Sequence, residues 1–475
     1  MTTEPPTVLN SMSSPTPVPP SHPGAPAAAP RRGVEAVLTL AWASLLLVAA
    51  LWAAGGGFLV DGVAAALTSA GRLAGLSAAD LLLIQVLLMA RLPAIEKSVG
   101  QDRLVRVHRT VGLWSFTLIT AHVVLILLGY AGTAGTGFVS STLDVILTMP
   151  AMMLAALGTV FLYLVVVTSI RAARRRLRYE SWHLMHLYAY LGCFLVLPHQ
   201  LWTGADFLSS PLATAYWWTL WGAAAVSVLV FRVSLPVVRS LRHRLIVSEV
   251  RPAGGGVTTV TLTGRDLHTL PVRGGQFFNW RFLGAPGWTR AHPYSLSAAP
   301  NGRTLEISVA ALGDGSARVA HLRPGTRVLI EGPYGRLHAG VRTRRKVLLL
   351  AGGVGIAPLK SLLESLTQHA GDVMVVHRVT READAPLLAQ TVASADAVGA
   401  RLAVLEGARA TDRPSWLPAS WAHVGDTAAL RYLCPDVAER DVFVSGAQGW
   451  MAAVDSALRA AGVPAGHIHK ENFSL

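Results

Sequence analysis

The chain has 475 residues, enough for two or three domains, and a formal net charge of +14. Hydrophobic residues make up 52% and charged residues 14%, against roughly 25% charged in an average soluble domain. The basic excess sits in short runs beside apolar segments, a membrane-protein pattern that argues against nucleic acid as a partner, and two distant cysteines, Cys193 and Cys434, exclude a disulfide framework or a cysteine-ligated iron–sulfur cluster within this chain.

In chain order, residues 1–33 are rich in Pro, Ser, Thr and Ala, hold too few large apolar side chains to bury a core, and are expected to form a disordered tail. The apolar region follows, from 34 to 236. A bilayer span needs ~20 mostly apolar residues, and six windows qualify: 34–55, 77–94, 106–129, 143–170, 181–202 and 212–235. Arg31 and Arg32 precede the first window. Arg91, Lys97, Arg103, Arg106 and Arg109 lie between the second and third, and Arg171, Arg174, Arg175, Arg176 and Arg178 between the fourth and fifth. Arg232, Arg239, Arg242 and Arg244 follow the sixth. The alternate loops hold almost no basic residue beyond Arg72. Basic loops then fall on one side, which predicts a six-helix, multi-pass protein of the plasma membrane with both termini cytoplasmic.

Ionisable residues inside a bilayer are costly and mark function. Five histidines fall in this region: His108, His122, His183, His186 and His199. Fourteen residues separate His108 from His122, which advances ~21 Å along a helix and returns to within ~40° of the starting face. The fifth span runs the opposite way, so His186 matches the depth of His108 and His199 that of His122. Two depth-matched pairs on facing helices suit two haems stacked across the membrane, each iron taking one axial nitrogen from either side. His183 would lie ~24 Å along the axis from His199 and matches less well. The thirteen residues between His186 and His199 place them ~140° apart on an ideal helix, so a departure near Gly192 or Pro198 is required.

From Leu245 the texture changes. Short β-rich runs at Leu245–Val250, Val257–Leu262, Gln276–Phe282, Leu305–Ala310 and Val328–Glu331, separated by Gly and Pro turns, predict an antiparallel β-barrel over residues 242–340. Beyond Arg345, strands at Val347–Leu350, Val373–Val376 and Val442–Ser445 alternate with helices near Leu359–His369 and Trp450–Ala461. This predicts a doubly wound α/β nucleotide-binding domain over 345–475. Gly352, Gly353 and Gly355, with Pro358 in the place of a third glycine, follow a strand and open a helix, an arrangement suited to a pyrophosphate. Gly315 and Ser316, in Gly313–Ser316, read either as a phosphate cradle or as an ordinary glycine hairpin. His292, Pro293, Tyr294 and Ser295 offer an aromatic face beside a hydroxyl, which suits a flat flavin, or else form a solvent-facing turn. Arg378, after a strand, and Arg381 are placed to bind a 2′-phosphate.

Together these residues resemble the NADPH oxidase/ferric reductase family, in which a six-span ferric-reductase-like haem domain is joined to a ferredoxin-reductase-type flavoprotein domain. The resemblance covers roughly residues 34–475. It implies that His108 with His186 and His122 with His199 ligate two b-type haems, and that the thirteen-residue spacing is a family feature. It implies that Tyr294 and Ser295 contact the FAD ring with His292 near its phosphates, that Gly274 to Phe277 lies beside the flavin, and that Gly332 to Gly335 is the strand-end turn before the nucleotide domain. Phe473 resembles the C-terminal aromatic that covers the flavin until nicotinamide displaces it, although Ser474 and Leu475 follow here. Ser445 and Gly446 stand where the family has a cysteine and glycine near the nicotinamide. The implied activity is electron transfer from cytoplasmic NADPH or NADH, through FAD and two haems, to an extracytoplasmic acceptor: a ferric chelate, oxygen or a partner redox protein. Oxygen-reducing relatives place a further histidine one turn beyond the outer ligand; Ile126 stands there, which favours the chelate or redox protein over superoxide formation. The readings set against this are a superoxide-generating oxidase, a membrane-anchored flavin reductase without haem, and a nucleotide-regulated transporter.

Overall fold

The computed structural model describes residues 8–9, 31–170, 179–204, 206–367, 369–411, 413–421 and 423–471. Most of the tail, the basic run Arg171 to Arg178, and Phe473 lie outside the described residues. The chain divides into two compact units, Arg31–Val233 and Met1–Pro30 with Ser234–Leu475.

The first unit is helical: α1 (Arg31–Ala54), α2 (Gly62–Met89), α3 (Pro93–Val99), α4 (Gln101–Ala134), α5 (Phe138–Thr148), α6 (Met152–Ser169), α7 (Tyr179–Trp202) and α8 (Pro211–Ser227), the last running on through a π-helical turn, Val228–Ser234. Among the described residues, five helices, Glu35–Ala54, Gly62–Met89, Arg103–Ala134, Met152–Ser169 and Pro211–His243, are long and apolar enough to cross a membrane. The expected count was six. The window at 181–202 does form a helix of 24 residues, α7, but His183, His186, Pro198, His199 and Gln200 dilute its apolarity. The window at 143–170 splits between α5 and α6, because Pro150 has no N–H to continue the ladder and Ala151 turns left-handed at φ 62°. The second helix begins well before its window, at Gly62, since small residues there carry little hydropathy.

Those small residues set the packing. Lipid supplies no hydrophobic drive between helices, so close approach of backbones must hold the bundle. Helices α6 and α7 meet at Gly158 and Gly192: a Cβ on either would lie 2.9–3.0 Å from the other's carbonyl oxygen. Gly192 is thus a contact point on α7.

In the second unit the first element is the two-residue strand β1 (Val8–Leu9), and the next is α9 (Leu235–His243). Then come β2 (Ile246–Pro252), β3 (Val257–Thr263), β4 (Phe277–Phe282), β5 (His292–Ser295), β6 (Thr304–Ala310), the single turn α10 (Asp314–Ala317) and β7 (Val328–Tyr334). These strands form two antiparallel three-stranded sheets, β2-β3-β6 and β5-β4-β7. Their edges meet at the bridges Ile246 to Arg327 and Leu296 to Ile307, and at backbone hydrogen bonds from Val328 to Leu245, Val247 to Thr326, Gly325 to Val247 and Ser297 to Glu306. The alternation of Val260 and Leu262, of Phe278, Trp280 and Phe282, and of Leu305, Ile307 and Val309 turns one face of each strand into a shared core. Each large apolar side chain fully buried there contributes ~1.5–3 kcal/mol.

The nucleotide-binding part comprises β8 (Val347–Gly352), α11 (Ile356–Glu364), β9 (Val373–Val379), α12 (Leu388–Ala397), β10 (Arg401–Glu406), α13 (Asp426–Leu433), β11 (Asp441–Ser445), α14 (Gln448–Ala460) and β12 (Ile468–Lys470). The strand order is β1-β10-β9-β8-β11-β12, parallel except for the β1 edge. Strand β8 feeds two cores: Leu348 and Leu350 face one, and Val347, Leu349 and Ala351 the other. That is the doubly wound arrangement the sequence predicted.

Candidate functional site

The membrane unit gathers the histidines as two pairs. Antiparallel packing of α2 on α4 and of α6 on α7 brings α4 and α7 into one bundle. The rings of His108 and His186 stand with centroids 6.1 Å apart and planes at 67°. With metal–nitrogen bonds of ~2 Å, two imidazoles on opposite sides of one iron have centres roughly 6–7 Å apart, so this pair fits a bis-histidine haem. His186 is further positioned by Trp182, whose ring centre lies 5.1 Å away, and by the Ser169 hydroxyl, 3.3 Å from its Nδ1.

The second pair carries the backbone contacts that a ligand histidine needs. His122 Nδ1 donates to the Gly71 carbonyl at 2.8 Å, and His199 Nδ1 donates to the Val196 carbonyl one turn back. With the proton held on Nδ1, each ring presents the lone pair of Nε2, the tautomer an iron requires. The His122 ring lies so close to α2 that a Cβ at Gly75 would be 2.5 Å from its Nδ1. His199 lies within electrostatic reach of His122. The bond from His199 to Val196, one residue pair before Pro198, orients the ring whose spacing an ideal helix would misplace. Ile126 packs on Gly71, and Arg72 is paired with Asp206 at 2.8 Å.

In the second unit, β5 presents the predicted quartet. His292 and Tyr294 lie on one face with rings 5.7 Å apart and 4° from parallel. Burial pushes the Tyr294 phenol up to about 12, so it stays a neutral hydroxyl. Ser295 Oγ is buried with no hydrogen-bond partner, an orphaned hydroxyl of the kind a bound flavin would satisfy. Pro293 pairs opposite Asn279 on β4. The Ser316 hydroxyl is turned back on its own loop, accepting from the Leu312 and Gly313 amides. A Cβ at Gly315 would lie 2.6 Å from the His292 ring.

The glycine loop after β8 runs from Gly352 into α11. A Cβ at Gly355 would lie 2.1 Å from the Ser445 carbonyl oxygen, so the β8 and β11 loops touch backbone to backbone. Ser445 itself is 2% exposed, and Trp450 covers both Gly352 and Gly446. Pro358 is buried on the first turn of α11. Arg378 is the last but one residue of β9, opposite Gly352, and one of its terminal nitrogens is buried without a partner. Burial, and then neighbouring Arg409, hold its guanidinium below the usual arginine value. Arg381 is instead exposed and paired with Asp384 at 2.5 Å. Glu471 reaches the Gly335–Arg336 turn, accepting from the Arg336 amide, which delivers the C-terminal end to the strand-end turn beside Gln276.

His377 is wholly buried beneath this loop and donates from Nε2 to the Gly353 carbonyl at 2.9 Å. Burial holds its imidazole down at about 4, below the ordinary ~6.5 of an unfolded chain. The unfolded state therefore binds more protons between these values. The contribution of His377 to stability is full above pH ~6.5 and is lost as pH falls towards 4. We expect the unfolding free energy to fall between pH 7 and pH 5 by an amount on the order of 1–3 kcal/mol from this group, and His377→Gln to flatten the accompanying fall in melting temperature in a thermal melt series.

Several residues escaped the sequence reading: Trp450, Arg409, Gly75 and above all Asp80. The last falls inside the second predicted window, so the rule that singled out the histidines applies to it equally.

Residues 74–197 match the family described as "Ferric reductase like transmembrane component". The flavoprotein half is similar to the ferredoxin–NAD(+) reductase component of the alkene monooxygenase system of Xanthobacter autotrophicus, 32% identical over 197 residues (40% of this chain, 57% of the relative). It is also similar to a flavohemoprotein of Xylella fastidiosa, 28% identical over 49% of this chain and 58% of the relative, and to an NADPH oxidoreductase of Mycobacterium tuberculosis, 28% identical over 48% and 61%. The chain thus spans under two thirds of the length of these three relatives. Among solved structures, the flavohem-like FAD/NAD-binding domain of nitric oxide dioxygenase from Vibrio cholerae aligns with a TM-score of 0.38 at 24% identity, over 48% of this chain and 98% of that one.

Proposed function

We propose that this chain, a ferric-reductase-like transmembrane domain joined to a ferredoxin-reductase-type flavoprotein domain, is an NAD(P)H-dependent oxidoreductase that moves electrons across the plasma membrane. The observation that carries the reading is the histidine arrangement: two rings 6.1 Å apart in one pair, and in the other pair both Nδ1 atoms bound to backbone carbonyls so that both Nε2 atoms are free for metal. When bound, FAD and two b-type haems supply the redox chemistry, taking two electrons from NAD(P)H and passing them singly to an outer acceptor.

The chain's own residues hold and orient. His108 with His186, and His122 with His199, clamp one iron each, and α7 acts as the sixth span despite its diluted apolarity. Val196 and Gly71 fix the outer tautomers. Tyr294, by its ring face, and Ser295, by its unpartnered hydroxyl, would hold the flavin. The amides from Gly353 to Ile356 receive the dinucleotide pyrophosphate at the start of α11. Ser445 and Gly446 would border the nicotinamide, and the aromatic ring of Phe473 would be the group that nicotinamide displaces from the flavin. The basic loops keep the flavin half and both termini in the cytoplasm. The acceptor is a ferric chelate or a redox protein, because Ile126 stands where an oxygen-handling histidine would be and Asp206 neutralises Arg72 beside it.

A reduced-minus-oxidised spectrum of the purified protein, with haem counted per chain, tests this directly. Two b-type haems are expected; their absence sinks the reading in favour of a haem-free flavin reductase. In membrane vesicles, Fe(III)-chelate reduction is expected to exceed superoxide formation, and superoxide as the main product would reverse the acceptor assignment.

The unpartnered Arg378 nitrogen, beside a second cation, selects the 2′-phosphate of NADPH. A hydrogen bond to a charged group contributes ~1.5–3 kcal/mol. Arg378→Ala is therefore expected to lower kcat/KM for NADPH by about tenfold or more and to leave NADH within about twofold. Equal losses with both nucleotides in steady-state assays would assign Arg378 to the shared pyrophosphate.

A further inference from the structure

Asp80 is a fully buried carboxyl group in the second apolar helix, with no exposed surface. Its Oδ1 accepts from Ser44 Oγ on α1 at 2.7 Å and from the Tyr216 hydroxyl on α8 at 2.5 Å, and those hydroxyls lie 2.8 Å from one another. Its Oδ2 is buried and has no partner. Among the described residues no lysine or arginine pairs with it: Arg72 is engaged by Asp206 and Arg91 by Glu96.

Its depth follows from the packing of α2 on α4. Gly75 lies against His122, the Ala78 carbonyl accepts from Ser115 Oγ at 3.1 Å, and a Cβ at Gly112 would lie 2.9 Å from Gln85 Oε1. Asp80 therefore sits level with the stretch between Ser115 and Gly112, inside the interval from His108 to His122. Five residues beyond Gly75, it turns ~140° away around the helix and faces α1 and α8. It is separated from the histidine pairs by about one helix diameter, ~10 Å. The groups facing it are the hydroxyls of Ser44 and Tyr216; α4 offers at its level Ser115 and, above and below, the two histidines.

A lone carboxylate in such a medium is stable only when a positive charge is near or when a proton neutralises it. Without water to screen it, Coulomb coupling at one helix diameter is substantial. We infer that Asp80 is a proton-binding site linked to the charge on the histidine-held haems. The carboxylate balances the oxidised bundle. When an electron from NAD(P)H enters, Oδ2 gains one O–H bond to a proton from the aqueous phase. When the electron leaves for the outer acceptor, that bond breaks and the proton returns. Oδ1 cannot serve as well, because it already accepts two hydrogen bonds. This inference rests on the two-haem reading.

Spectroelectrochemical titration of the haem-loaded full chain between pH 5.5 and 8.5 tests it. A one-electron couple tied to one proton changes its equilibrium tenfold per pH unit, or ~59 mV. The wild type is expected to approach that slope for at least one haem within part of the range, and Asp80→Asn to be flat there with both haems retained. The redox-difference infrared spectrum of the wild type is expected to show a protonated-carboxyl carbonyl band that Asp80→Asn lacks. A wild type with two haems and pH-independent potentials overturns the inference and leaves the two-haem reading intact, as does a slope unchanged in Asp80→Asn. If Asp80→Asn fails to hold haem, the wild-type infrared spectrum decides: a redox-linked carboxyl band supports the assignment, and none overturns it. A wild type without haem defeats both readings.

Discussion

His122→Ala and His199→Ala are each expected to remove one of two b-type haems and to abolish electron delivery to an outer acceptor, with NAD(P)H oxidation at the flavin by a soluble artificial acceptor left near wild type. The groups that contact the two rings, Gly71 and Gly75 on α2 and the Val196 carbonyl on α7, offer no imidazole to take the place of a lost one. Removing an outer-shell partner of a metal ligand typically costs roughly 10–100-fold in affinity, and losing the ligand itself costs more. The same changes at His108 and His186 are expected to remove the other haem. His183→Ala is expected to retain both, since it is His186 whose ring faces His108. Haem counting on the purified variants checks this. Full haem content in His122→Ala would refer the binding to other residues and undo the pairing.

Gly355→Ala is expected to raise the KM for NAD(P)H by at least about tenfold, which is ~1.4 kcal/mol, with bound FAD unchanged. The new Cβ would stand 2.1 Å from the Ser445 carbonyl oxygen and 2.8 Å from the Gly446 amide nitrogen. Both are backbone atoms, so two loops must part, and overpacking of this kind costs ~1–3 kcal/mol. Gly353→Ala offers an informative contrast. Its Cβ meets no atom within 4 Å, but the residue sits at φ 55°, where an L side chain costs ~1–2 kcal/mol. Diaphorase kinetics at saturating artificial acceptor separate the two. An unchanged KM in Gly355→Ala would show that the loops are free to separate and do not jointly form the nucleotide site.

The legible part of this protein was legible for simple physical reasons. Apolar windows of bilayer length and the one-sided basic loops identify a membrane unit, because hydrocarbon tolerates almost nothing else. Alternation along Val257–Leu262 and Gln276–Phe282 marks half-buried strands, and the glycine run after Val347–Leu350 marks a strand-to-helix turn. The strands and helices that were missed, Arg401–Glu406, Ile468–Lys470, Leu388–Ala397 and Asp426–Leu433, are short, and their burial comes from neighbours distant in sequence rather than from a pattern of their own.

Sequence by itself determined which residues can carry chemistry here: four histidines in an apolar stretch, an aromatic–hydroxyl pair beside a proline, and glycines opening a helix. Each is visible because it is chemically out of place or because no other residue type permits the backbone path. Tertiary structure alone decided how they act together. It brought the ring of His186, which depth matching already favours over His183, to 6.1 Å from that of His108, tied His122 to a carbonyl 51 residues away and His199 to one three residues back, and left Ser295 and Arg378 with buried, unanswered polar atoms. It also joined Asp80 to Ser44 and Tyr216, partners 36 and 136 residues distant. Such contacts depend on which helix faces which, and that is fixed by packing summed over the whole bundle, which no local window of sequence contains.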